Sequence, residues 1–401
     1  MPLDLTTTLA ELVAIPSVNP LGHAAEGPEF FERRVTDYLE RLFLHHGIVT
    51  HRQPIAPLRD NLIARVDGHP SPESGGQLLL LEAHQDTVPV DGMTIEPFTP
   101  AIRDGRLYGR GSCDVKGGLT AMLGALVRLA EDKSGVDRPT VILACTVNEE
   151  HGFTGASGLC RFWSDLRSPL IPRRPQVAVV AEPTGLEIVV AHKGMVRWRC
   201  HTRGRAAHSS QPEQGDNAIY RMARVVAALE RYARDVLPQQ AAHALCGRPT
   251  LSVGTIAGGI GVNLVPPRAT IEIDRRVLPG EDPLAAYRQA IDYITSALAD
   301  PASAAHVEHE PPYMQSQGLA DGDNRRLAER LSAAVRAVTG TAATCGVPYG
   351  TDAAAIAGSG VPAVVFGPGS IQQAHTADEW LPLDELHAAS EILYRFARQG
   401  I

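Results

Sequence analysis

No apolar stretch in this chain reaches the roughly 18 residues of a membrane-spanning helix. No run of lysines or arginines stands out, and the formal net charge is −8. That balance argues against a nucleic-acid or anionic-membrane partner. The N-terminus, MPLDLTTTLAELV, lacks a basic start and carries Asp4 early, so it does not read as a secretion signal. No C-x-x-C pair occurs among Cys113, Cys145, Cys160, Cys200, Cys246 and Cys345. These six read as free thiols of a reducing cytoplasm rather than a disulfide frame. There is no P-loop, and YGRGSCD begins like G-x-G-x-x-G but lacks the third glycine, which weakens a nucleotide-dependent reading. A serine hydrolase is disfavoured because no G-x-S-x-G elbow appears. No internal repeat is visible. What remains is a 401-residue chain, 44% hydrophobic and 20% charged, long enough for two or three domains with a sizeable core.

Apolar runs at 78–83, 141–147, 177–181 and 361–366 are short and flanked by turn residues, as suits strands buried on both faces. Helical spacing marks 28–46, with Pro28 in a first-turn position, and 117–130. Strands alternating with helices imply an α/β sheet, whose ligands bind beyond the carboxyl ends of the strands. The middle of the chain differs. Val196, Trp198 and Cys200 alternate with Arg197, Arg199 and His201, as in a strand with one wet face. A helix near 216–234 follows, with Asp216 as its expected N-cap. Strands near 250–257 and 268–277, a helix near 283–298 and a strand near 304–309 complete a βαββαβ order, the ferredoxin-like motif. Residues 192–310 therefore read as a domain inserted into a first domain of 1–191 and 311–401.

Six metal-type residues arrive in one order: His84, Asp114, Glu149, Glu150, Glu182 and His375. Most sit just past an expected strand. Two imidazoles and several carboxylates are what two neighbouring zinc ions need. Zinc takes such nitrogen and oxygen donors at about 2.0–2.2 Å. Ions of a two-metal site lie roughly 3.5–4 Å apart, and a carboxylate must bridge them because bare cations so close repel. Asp114 is the candidate bridge, since glycines on both sides in YGRGSCDVKGG let the backbone fold tightly around a buried charge. In HQDTV, Asp86 can accept the second N–H of His84 and fix its tautomer. Glu149 and Glu150 are adjacent and point different ways, so one can bind metal while the other reaches a water. Taken singly, each residue also has a plain reading as a core histidine, a turn acid or a loop histidine. Their joint placement at strand ends is what points to metal chemistry.

With these residues assembled, the chain resembles the zinc metallopeptidase family of aminoacylase, acetylornithine deacetylase, succinyl-diaminopimelate desuccinylase and glutamate carboxypeptidase. The resemblance runs through LAELVAIPSVNP, HQDTV, GRGSCDVKGG, NEEHG, AEPT, AHKG, AAHSSQP, DRRVLPG, GTDAAAIA and FGPGSIQQAHTADE, nearly the whole chain. It implies a three-layer α/β/α catalytic domain and an inserted lid that also mediates a homodimer. It implies that His84, Asp114 and Glu182 hold one zinc and that Asp114, Glu150 and His375 hold the other, with cobalt or manganese able to share such ligands. Glu149 would be the general base and Asp86 the support for His84. A cis peptide is expected between Asp114 and Val115. His208 would reach the partner subunit's active site and help hold an oxyanion, and Asn263 lies where the family often has another such residue. Arg276 and the loop of Gly350, Thr351 and Asp352 would position the substrate carboxylate.

The implied reaction is hydrolysis of an N-acylated amino acid by dizinc-activated water, in a cytoplasmic enzyme with no nucleic-acid or membrane partner. Glu182 matches the deacetylase and desuccinylase branches, whereas aminopeptidase-like and aminoacylase relatives usually carry aspartate there. FGPGSIQQAH and AHKG resemble acetylornithine deacetylases, while NEEHG departs from them. The alternatives are a desuccinylase, a dipeptidase or carboxypeptidase, and an inactive member that binds metal or amino acids.

Overall fold

The computed structural model describes residues 3–165, 168–298 and 305–401. The chain forms two compact units. One runs to Val190 and resumes over Asp321–Cys345 and Thr351–Ile401, and the other comprises Ala191–Ala320 with Gly346–Gly350.

In the first unit the four apolar runs form the strands Leu78–His84, Thr140–Thr146, Val177–Val180 and Ala363–Val365. They are neighbours in one sheet, in the order 140–146, 78–84, 177–180, 363–365, and all pair in parallel. Arg59–Val66 and Val49–Ala56 extend one side antiparallel, and Ile188–His192 and Thr344–Val347 extend the other. Leu79 and Leu81 join a core cluster with the helices Gly117–Glu131 and Leu383–Arg398. Leu78 and Leu80, on the opposite face, are also fully buried. The helices Thr154–Ser164 and Ala353–Gly358 pack on the sheet outside that cluster, on the other face. Burial on both faces is why these strands read as unbroken apolar runs. Because all four point the same way, the residues that follow them emerge at one sheet edge.

The helix expected over 28–46 starts later, at Arg33. The backbone before it is committed elsewhere: Val18 N–H donates to Glu29 O (2.8 Å), Phe31 N–H donates to Val18 O (3.1 Å), and Phe31 has φ +65°. Among the described residues no helix is long and apolar enough to cross a membrane.

The second unit follows the order Gly194–Arg203, Ala218–Arg231, Thr250–Gly258, Arg268–Val277, Pro283–Ala297, Val307–His309. Its sheet runs 250–258, 268–277, 194–203, 307–309, with every pairing antiparallel. Trp198, Cys200, Ile271 and Ile273 face the two helices, which supply Met222, Val225 and Ile294. Residue 304 of the expected 304–309 strand lies outside the described residues. Asn217, not Asp216, caps the first helix: its Oδ1 accepts from Ile219 N (2.9 Å) and Tyr220 N (3.2 Å), while Asp216 pairs with Arg221. The return to the first unit comes at 321 rather than 311. Met314–Ser316 pairs with Gly194–Arg203, and Leu319 exchanges two backbone hydrogen bonds with His192 (3.0 and 3.1 Å). Gly346–Gly350 likewise groups with this unit, where Lys193 N–H donates to Val347 O (3.3 Å).

Candidate metal centre

His84 ends its strand, and Glu149 and Glu150 follow the strand Thr140–Thr146. Glu182 follows Val177–Val180, and His375 lies in the loop after Ala363–Val365. Asp114 comes from an irregular turn at 112–116, where Asp114 (φ −118°, ψ 96°) and Val115 depart from helical geometry before the helix Gly117–Glu131. The peptide between Asp114 and Val115 is cis, as the resemblance implied.

The Asp114 carboxylate lies between the two imidazoles. Its Oδ1 is 3.2 Å from His84 Nε2, and its Oδ2 is 3.3 Å from His375 Nε2. His375 Nε2 is also 3.3 Å from Glu150 Oε2. Donor atoms of His84, Glu149 and Glu182 lie within 4.8 Å of one another, and so do those of His84, Asp114 and Glu150. Glu149 thus groups geometrically with His84 and Glu182, the ion-holding pair that the resemblance joins to Asp114. His84, Asp114, Glu149 and Glu182 are buried, whereas the His375 side chain is 52% exposed.

Four carboxylates therefore crowd against two imidazoles at the end of a dry sheet. Burial, reinforced by the Glu182 charge, holds Glu149 well above the usual carboxylate range, and burial with the Asp114 charge does the same for Glu182. Glu150 is raised by burial and by Asp114. Burial acts on Asp114 too, but hydrogen bonds from His375 and His84 outweigh it and keep that carboxyl below its usual range. His375 is pushed up to about 11 by its contacts with Asp114 and Glu150. Each buried carboxylate costs several kcal/mol unless compensated. The Glu150 Oε1 atom is buried with no hydrogen-bond partner among the described residues. An excess of oxygen donors, two imidazoles and an orphaned carboxylate oxygen fit divalent cations of the zinc type.

Asp86 does a different job from the one expected. His84 Nδ1 is 3.0 Å from the main-chain oxygen of Asp86 and 3.7 Å from its carboxylate. The carboxylate instead accepts from the backbone N–H groups of Glu149 (3.1 Å) and Glu150 (3.2 Å), and from Asn19 Nδ2 (2.8 Å). Asn19 also donates to Asn148 Oδ1 (2.9 Å), and Asn148 stands at φ +61°. Asn148 N–H donates to Glu32 Oε1 (3.1 Å), which also accepts from Arg59 (2.7 Å). Sequence reasoning missed Asn19, Asn148 and Glu32 as supports of the Glu149–Glu150 turn. The adjacency of Asn148 to the acid pair was the available signal.

Thr351 and Asp352 were expected to help position the substrate carboxylate. Both are buried, and Asp352 meets Thr146 Oγ1 (3.3 Å), whose hydroxyl also donates to Glu82. Burial and the nearby Glu82 charge raise the Asp352 carboxyl well above its usual range. Gly350 belongs to the second unit.

Within the second unit, His208 is exposed, and its Nδ1 lies 2.7 Å from Ser210 Oγ. Backbone pairing brings its segment beside Asn263, whose carbonyl accepts from Ser209 N–H (3.0 Å). Asn263 is exposed as well. Arg276 Nε pairs with Asp274 Oδ1 at 2.8 Å, and Arg197 Nε holds the other oxygen at 2.7 Å. The terminal nitrogens of Arg276 make no hydrogen bond among the described residues.

Residues 80–399 match the family model of Peptidase family M20/M25/M40. An acetylornithine deacetylase of Myxococcus xanthus is 31% identical over 328 residues, 80% of each chain. Two solved structures share the fold along nearly the whole length. A metallo-carboxypeptidase of Sulfolobus solfataricus superposes with a TM-score of 0.77 at 18% identity, covering 99% of each chain. The aminopeptidase PepT of Bacillus cereus gives 0.71 at 24% identity, covering 98% of this chain and 97% of its own.

Proposed function

Because this chain belongs to the M20/M25/M40 peptidase family and is a metal-dependent hydrolase, we propose that it uses two zinc-type cations to cleave the amide bond of N-acylated amino acids. The observation that carries the reading is the Asp114 carboxylate, with one oxygen turned to each imidazole. In this reading His84, Asp114 and Glu182 hold one cation, and Asp114, Glu150 and His375 hold the other. When bound, the cations supply Lewis acidity that polarises the scissile carbonyl and makes water acidic enough to attack near neutral pH.

The chain's own residues carry the proton chemistry. Glu149, buried and held at its backbone by Asp86, takes a proton from the attacking water. It then returns that proton to the leaving amine, so one carboxyl serves as base and then as acid. Asp86 fixes the direction of both glutamates by holding two successive peptide N–H groups. His208, an exposed imidazole, would reach the active site of a partner subunit and donate to the developing oxyanion there. Arg276, steadied at Nε by Asp274, grips the free carboxylate of the substrate with its terminal nitrogens.

The acetylornithine-deacetylase-like assignment is supported by the Myxococcus relative and by Glu182. The second unit serves as lid and dimer contact in this reading. Support comes from the exposed edge strand Thr250–Gly258 and the adjoining apolar Ile260 and Val262, which are 84% and 100% exposed. All six cysteines are free, consistent with a reducing cytoplasm. The deciding experiment measures amine released from N-acetyl, N-succinyl and dipeptide substrates by the metal-loaded protein. Preference for N-acetyl amino acids supports the assignment. Preference for succinyl or dipeptide substrates moves it to another branch, and no turnover on any panel member removes the catalytic reading.

A further inference from the structure

Glu379 ends the FGPGSIQQAHTADE motif, and neither the metal reading nor the proposed mechanism gives it a role. It is fully buried. Its Oε1 accepts from the backbone N–H groups of Cys113 (2.9 Å) and Asp114 (3.0 Å). Its Oε2 accepts from Gly111 N–H (2.9 Å) and from Arg110 Nη1 (2.7 Å). One carboxylate thus takes four donors, and three of them are the peptide N–H groups of Gly111, Cys113 and Asp114 in the turn that presents Asp114. That turn forms no strand, so its buried N–H groups need an outside acceptor. Gly111 at φ +81° and the non-helical Asp114 show how far the backbone departs from regular structure there.

The same residue stands four positions after His375. Its own carbonyl accepts from Gly109 N–H (3.0 Å), and Ala377 O accepts from Thr94 N–H (2.8 Å). Immediately afterwards, Trp380–Pro382 pairs antiparallel with Arg106–Tyr108. The segment bearing His375 and the segment bearing Asp114 are therefore clamped together, with the Glu379 carboxylate at the point nearest the proposed bridge. The His375 side chain is half exposed and meets Asp114 and Glu150 at 3.3 Å.

We infer that Glu379 is a positioning residue that fixes Asp114 relative to His375, and so sets the affinity of the cation those two residues share, without touching cation or substrate. This rests on the two-cation reading above. The chemistry is specific to a carboxylate of this length. An amide would aim its NH2 at two donors, and aspartate would fall one methylene short of the turn.

The test uses the full chain stripped of metal, as wild type, Glu379→Gln, Glu379→Asp and Asp114→Ala. Each is titrated with cobalt(II) and followed by visible absorption and elemental analysis, with metal-free melting as the control for folding. Wild type is expected to take two ions. Folded Glu379 variants should bind the second ion about 10–100-fold more weakly, with an altered cobalt spectrum. A folded variant that binds both ions with wild-type affinity and spectrum overturns the inference, even if its melting point has dropped. If neither variant folds, the carboxyl is a requirement of folding rather than a positioning device, and the inference falls. Failure of the underlying reading looks different: wild type takes no ion, or Asp114→Ala still takes two.

Discussion

The two units hold their candidate residues in opposite ways. In the first, carboxylates and imidazoles from five chain segments are gathered at one sheet edge and most are buried. In the second, His208 and Asn263 stand exposed on adjoining loops, and Arg276 is tied to Asp274 on the sheet surface. The first arrangement carries its own explanation. Uncompensated acids in a dry place are expensive, so their convergence points to a cation. Solvated side chains are cheap and explain nothing by themselves. They acquire a role only from what comes to meet them. The first unit is thus expected to declare its function in isolated chemistry, such as metal content and proton uptake. The second should declare it only in kinetics.

The sharpest break of this contrast is Asp114→Ala. Loss of both cations and of all measurable hydrolysis is expected, and elemental analysis showing full metal content would show that Asp114 does not bridge. Glu149→Gln comes next. It should keep both cations while kcat falls by about 10²–10⁴-fold. Activity within tenfold of wild type would remove Glu149 from the proton transfer. On the other side of the comparison, His208→Ala should lower kcat by about 10²–10³-fold with little change in KM, because its contact belongs to the transition state. A change in KM alone would make it an ordinary binding group. Asp86→Asn is the mildest of the substitutions. Its amide can no longer accept from both glutamate N–H groups, and activity should fall about 10–100-fold. Wild-type rates would mean that the acid pair holds its direction unaided.

The proton chemistry sharpens the contrast further. In the metal-free chain His375 is raised to about 11, and Glu149 and Glu182 are raised by burial. His375 therefore holds a proton at neutral pH, and a cation must displace it. Metal binding should therefore release protons and weaken as pH falls from 8 to 6. Calorimetry in buffers of different ionisation enthalpy measures that release. Binding that is independent of pH would contradict the burial argument.

The sheet was legible because its central strands are buried on both faces, which leaves runs such as 78–83 without polar interruption. The clustering of the candidate residues was legible for a related reason: parallel strands bring their following residues to one edge. What escaped was governed by backbone hydrogen bonds rather than side-chain periodicity. The 28–46 helix lost its first turn to pairing of 29–31 with Val18. The domain return moved because Met314–Ser316 adds to a sheet through main-chain bonds that composition does not reveal. Asp86 was misassigned because spacing alone does not tell whether an acid faces an imidazole or a peptide N–H. Asp352 looked like a loop residue among small neighbours, and only packing beneath the sheet edge shows it buried beside Thr146.

The position of the Asp114 carboxylate decides whether two cations are held, and crystallography of the zinc-loaded protein with anomalous scattering at the zinc edge reads it directly. The prediction is two zinc ions roughly 3.5–4 Å apart, each bound by a different oxygen of Asp114, one with His84 and the other with His375. A single ion, or two ions that leave Asp114 outside both coordination spheres, would contradict it.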